Sequence, residues 1–186
     1  MRINPYAVLE YAIKLISDNE RQLKALIEDF DSEGSLHLFP GIRPTIPVRL
    51  MPCFEIETDN LSTVWGTTRG QRHTLSFNCV ITVMSPKIEF REEYLTSVTA
   101  AVTGMLKNPA NLQFPIPCKD VITGEEFPLM AYDSFVDNTS YSSQKEGTVG
   151  VSRFNWVVSV HETIEDSYFD NRNRSGIEPD RPSKEE

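Results

Sequence analysis

Between His73 and Met84 apolar and polar residues alternate with a period of two, which predicts a β-strand. Leu75, Phe77, Cys79, Ile81 and Val83 share one face; Ser76, Asn78 and Thr82 take the other, with Val80 among them. A second alternating stretch, Ser152 to His161, puts Phe154, Trp156, Val158 and Val160 on one side and Arg153, Asn155, Ser159 and His161 on the other. Between them, Leu95, Val98, Val102, Met105 and Leu106 recur at helical spacing, so a helix is expected from Glu93 to Lys107, stopped by Asn108-Pro109. A helix following an antiparallel pair packs most simply across the sheet.

The N-terminal pattern is also helical. Asn4-Pro5 has the form of an N-cap followed by a proline suited to the first helical position. Tyr6, Leu9, Ile13, Ile16, Leu23, Ile27 and Phe30 follow, with a slip near Ser17-Asp18-Asn19 that marks a break or kink. Glu10 and Lys14 stand four apart and can pair. The helix is expected to end near Asp31-Ser-Glu-Gly34.

Prolines at 40, 44, 47 and 52 make residues 39 to 52 an extended, edge-like connection. It leads into a short strand, Cys53–Thr58, where Phe54 and Ile56 alternate with Glu55 and Glu57, so one face is expected to be wet. The loop from Gly66 to His73 reads as a hairpin connection. Residues 109 to 131 are again rich in proline, with a turn at Thr123-Gly124-Glu125, and predict a loop with at most short strands. Tyr132 to Tyr141 predicts a strand, and Ser142 to Gly150 the tip of a long hairpin. From about Glu162 the chain turns polar and lacks an apolar period, so 163–186 reads as a tail, flexible or ordered against a neighbour through Tyr168, Phe169 and Ile177. Residues 1–162 read as one domain, and 186 residues suffice for one real core. No internal repeat is visible.

Charge narrows the functional classes. The net charge is −9, and a dedicated DNA binder needs a positive face to displace phosphate counterions. Three cysteines, Cys53, Cys79 and Cys118, form no CxxC pair and read as small buried hydrophobes in a reducing compartment. The N-terminal stretch reads as helix rather than signal peptide, and no apolar run approaches a membrane span, so synthesis in the cytosol is expected.

Catalytic chemistry is sparse. His37, His73 and His161 are scattered, without the spacing a metal site needs, and read as ordinary surface histidines. Glu92-Glu93 reads as a helix-start pair and Glu125-Glu126 as solvated turn residues. Gly66-Thr-Thr-Arg-Gly70 lacks the Lys-Ser/Thr ending of a phosphate loop, and Asp133-Ser134 has no identifiable base. No catalytic residue, metal ligand or cofactor is assigned.

Two features point to interaction instead. Arg69, Arg72 and His73 concentrate in one loop of an acidic chain. This is either a solvated hairpin or a docking loop for an acidic partner, the protein's own tail among the candidates. The hairpin tip from Ser140 to Gly150, which carries Lys145, is either plainly flexible or reaches into a neighbour.

The order is N-terminal helix, Pro-rich extended segment, hairpin, helix, Pro-rich loop, hairpin, tail. Carried by Asn4–Phe30, Thr74–Met84, Tyr94–Leu106 and Arg153–Val160, it resembles the tail terminator proteins of tailed bacteriophages over about residues 1 to 162. The polar tail has no place in that pattern. The resemblance implies a ring, usually a hexamer, that caps the tail tube, stops tube polymerisation and joins the tail to the neck, meeting the sheath in contractile tails. DNA would slide through without specific binding, which an acidic lumen favours.

The expectation is an α+β fold, a twisted, mainly antiparallel sheet with two helices packed on it, and a structural, non-enzymatic virion protein. The alternatives are another head–tail connector such as a neck stopper or tube-like protein, a small enzyme with an unrecognised pocket, and a non-viral adaptor.

Overall fold

The structure is a computed structural model that describes residues 4–30, 35–64, 70–107, 116–119, 124–143 and 148–163. The chain enters helix α1, Pro5–Asp18, through the expected cap: the Asn4 side chain accepts from the Tyr6 N–H at 3.0 Å, and Pro5 opens the helix. The slip in apolar spacing is a real break. Asn19 closes α1, its N–H donating to the Ile16 carbonyl, and its own carbonyl accepts from Gln22 to start α2, Glu20–Glu28. One predicted helix is therefore two, and with α3, Ile88–Lys107, three helices are described rather than the two expected. The expected end of the first helical run at 31–34 lies outside the described residues. Lys14 pairs with Asp18, not with Glu10.

The strands are β1 (His37–Pro40), β2 (Cys53–Val64), β3 (Gly70–Met84), β4 (Ile116–Lys119), β5 (Glu126–Ser143) and β6 (Val149–Thr163). They lie in the order β1-β2-β3-β6-β5-β4. Every neighbouring pair is antiparallel except β1 with β2, so the sheet is mixed within an α+β fold. The prolines confine β1 to four residues at the edge, as proline requires, and a 3-10 turn at Val48–Leu50 interrupts the connection after it. β2 and β5 outrun their predicted lengths, β5 beginning six residues before Tyr132. The residues that extend them, Asp59–Val64 in β2 and Glu126–Ala131 in β5, carry no clean alternation of polar and apolar types, so periodicity stopped where the pairing did not.

One sheet face is dry. Leu75, Phe77, Cys79, Ile81 and Val83 of β3 meet Phe154, Trp156, Val158 and Val160 of β6, all buried. The helices close over this face: α1 contributes Val8, Leu9 and Ile16, α2 Leu23 and Ile27, and α3 Leu95, Val98, Val102 and Leu106. Each such side chain contributes about 1.5–3 kcal/mol on burial. Phe77 stacks at a tilt on Trp156 with centroids 5.2 Å apart, and Phe30 stacks on Tyr94 at 5.0 Å. Among the described residues no helix is long and apolar enough to cross a membrane.

Candidate assembly interface

Among the described residues no helix lies on the opposite face of the sheet. Its half nearest the start of β2 is roofed by the chain between Gly41 and Met51. Glu55, expected on a wet face, is consequently only 2% exposed, and Cys53 beside it is fully buried. The Arg43 N–H donates to Glu55 Oε1 at 2.8 Å, and the Arg43 guanidinium sits 3.7 Å over the Phe39 ring. A groove of about 430 Å³ remains between Ile42, Ile46 and Met51 on the roof and Asn78, Val80 and Arg153 on the sheet. Burial raises the Glu55 carboxyl above its ordinary range, and the Arg43 N–H and charge oppose the rise.

Among the described residues nothing covers the other half, which is semi-apolar. Arg72 lies 5.7 Å from the Tyr132 ring centroid, a cation–π contact across β6. His161 sits between Arg72 and Met130 in register, and Phe135 stands opposite Val157. Three large apolar side chains of β5 stay exposed on it, Met130 (44%), Tyr132 (55%) and Phe135 (46%), while Tyr141 (53%), in register with the buried Ser152, is exposed on the helix side of the sheet.

The predicted interface residues do not come together as a cluster. Arg72 is exposed on the bare face, but His73, the next residue of the same strand, points to the opposite face and is fully buried. Its Nδ1 lies 3.2 Å from Thr63 Oγ1. The reading of His73 as a surface histidine is therefore corrected: it is a core residue, and it cannot serve with Arg72 in one docking surface. Arg69, Lys145, Tyr168 and Phe169 lie outside the described residues, as do 65–69, 144–147 and 164–186. Glu92 and Glu93 are exposed but not at a helix start, because α3 begins at Ile88 and its first-turn acid is Glu89. Glu126 pairs across strands with Lys119 at 3.6 Å. Among the described residues no three His, Cys, Asp or Glu side chains are grouped as metal ligands.

Sequence reasoning passed over the exposed β5 residues. The signal was there: Tyr132, Phe135 and Tyr141 stand among mainly polar residues in the second half of β5. Without the pairing partner, whether they faced the core or the outside was undetermined.

No family model matches the chain, and no curated protein matches it. Among solved structures, a chain in the virion of a native gene transfer agent particle is 9% identical, covering 75% of this chain and 84% of its own, with a TM-score of 0.45. A second solved chain is 10% identical over 82% of this chain and 97% of its own, with a TM-score of 0.34.

Proposed function

We propose that this chain is a structural subunit of a tailed-phage-like particle, a tail terminator that assembles into a ring on the end of the tail tube. The observation that carries the reading is the unequal treatment of the sheet. Helices bury the centre of one face, while on the other β5 keeps Met130, Tyr132 and Phe135 in solvent. Apolar groups gathered on one strand belong to an interface. The order of helices, Pro-rich segments and hairpins supports the same assignment through its resemblance to tail terminators. Subunits would associate head to tail around a closed axis, usually six, with the tail tube protein on one side, the neck protein on the other, and the sheath as a further partner in a contractile tail. The net charge of −9 would let DNA pass without sticking. The site of action would be the virion.

Native mass spectrometry of the purified chain, alone and with tail tubes, tests this reading. A closed oligomer, or one formed on the tubes, is expected. A monomer indifferent to tubes opposes it, as do micrographs of particles lacking the protein whose tails have normal length and are joined to filled heads.

A second reading is favoured by one observation, the groove floored by the buried Glu55. A carboxyl shifted by its surroundings inside a cleft is a common mark of a ligand site. A small molecule that protects the monomer against thermal unfolding, and loses that effect in Glu55→Gln, would favour it.

A further inference from the structure

Both edges of the sheet are half bare among the described residues. On one side β1 pairs with β2 only from Cys53 to Ile56, which leaves Glu57–Val64 without an outer partner. On the other side β4 pairs with β5 only from Glu126 to Leu129, which leaves Met130–Ser143 without one. Unpaired edges are templates for a further strand, and long bare ones invite pairing with another chain. The four exposed apolar side chains lie on the second of these edges.

The two edges fit each other. β2, β3, β6 and β5 alternate in direction, so β5 runs opposite to β2. A second copy in the same orientation therefore brings its β2 alongside β5 antiparallel, with dry faces on the same side. That is the head-to-tail relation a cyclic ring requires. The structure also selects a register. Without a shift, Glu57 of one copy would face Asp137 of the next, because both lie in the row of Asn78 and Asn155. Like charges directly opposite are destabilising. The neighbour's β1 would also collide with the lower part of β5. Sliding the neighbour by four residues, so that Glu57 meets Ser142, relieves both. It then sets Thr58 against Tyr141, Asn60 against Ser140 and Thr63 against Val136, each pair on matching faces. The slide is about 13 Å for every four strands spanning about 19 Å, a strand tilt of about 35°. Closed barrels tilt their strands by about 35–45°. The bulges at Thr58/Asn60 in β2 and at Asp137/Ser140 in β5, where Asn138 has φ 54°, supply the local bending that closure needs.

We infer that copies of this chain join edge to edge, Glu57–Val64 of one pairing with Phe135–Ser142 of the next, into one continuous tilted barrel with the helices outside and the bare face towards the axis. The inference rests on the ring reading above and specifies how the ring closes.

Engineered cysteines test it in the full chain. Cys53, Cys79 and Cys118 are buried and do not interfere, while Asn60 and Ser140 are exposed at opposite edges, too far apart to join within one copy. The double variant Asn60→Cys/Ser140→Cys should form a covalent ladder up to a closed oligomer on mild oxidation. Each single variant should stay monomeric on a denaturing gel. A dimer from Ser140→Cys alone would overturn the inference in favour of a two-fold β5–β5 contact. Rings seen by native mass spectrometry without any cross-link would overturn the edge pairing and leave the ring reading standing. A monomer without cross-links, both alone and in the presence of tail tubes, would overturn both.

Discussion

The indole Nε1 of Trp156 donates to Ser134 Oγ at 2.7 Å, and that hydroxyl donates in turn to the Leu106 carbonyl at 2.8 Å. Trp156 is fully buried in the middle of β6, Ser134 lies on β5, and Leu106 is in the last turn of α3. One hydroxyl thus ties two strands to a helix C-terminus, where carbonyls lack helical partners.

Ser134→Ala should therefore destabilise the fold by about 1–3 kcal/mol, since it leaves a buried indole N–H and a helix-end carbonyl without their partner. Ser134→Thr keeps the hydroxyl and should cost less. Urea unfolding of the variants checks this, and an Ala variant as stable as the parent would remove the assigned role.

Two glycines should respond oppositely to alanine. Gly104 is an exposed position of α3 where an alanine Cβ would have nothing within 4 Å, so Gly104→Ala should gain about 0.5–1 kcal/mol from reduced unfolded-state freedom. At Gly150 a Cβ would meet Arg91 Cγ at 3.1 Å beneath a filled core, and Gly150→Ala should cost about 1–3 kcal/mol. Thermal melts of the pair give the signs directly.

Glu55 predicts a pH signature. Its folded-state pKa is raised by burial, so folding favours the protonated form, and wild-type stability falls as pH rises from the ordinary carboxyl range through the raised value. Glu55→Gln keeps an acceptor for the Arg43 N–H and removes the charge. Relative to wild type it should gain stability across that window and show no further gain above it. Denaturant melts over a pH series measure this, and a variant that loses ground as pH rises contradicts it.

The thiols should be inert in the native state. All three cysteines are buried, and burial, with Glu55 nearby, pushes Cys53 up to about 11. Cys79 is raised further by burial. An alkylating reagent at mildly alkaline pH should label the folded protein slowly and the denatured protein at three sites. Fast labelling of the folded chain would show that the core opens locally.

Much of this architecture was written in residue order alone. The alternation from Leu75 to Val83 and from Phe154 to Val160 named the dry face of both central strands, because a face buried against helices is filled mainly by apolar side chains. The Asn4-Pro5 cap and the break at Asn19 were equally local, the first resting on the Asn4 side chain and the second on Asn19's own backbone hydrogen bonds, all within one helical turn. Tertiary structure decided the rest. Glu55 looked solvated until the upstream segment from Gly41 to Met51 folded over it, and His73 looked like a partner of Arg72 until the pleat sent it into the core. The bare halves of β2 and β5 were invisible for the same reason: whether a strand has a neighbour depends on what lies across the sheet, and no residue carries that information in its own position along the chain.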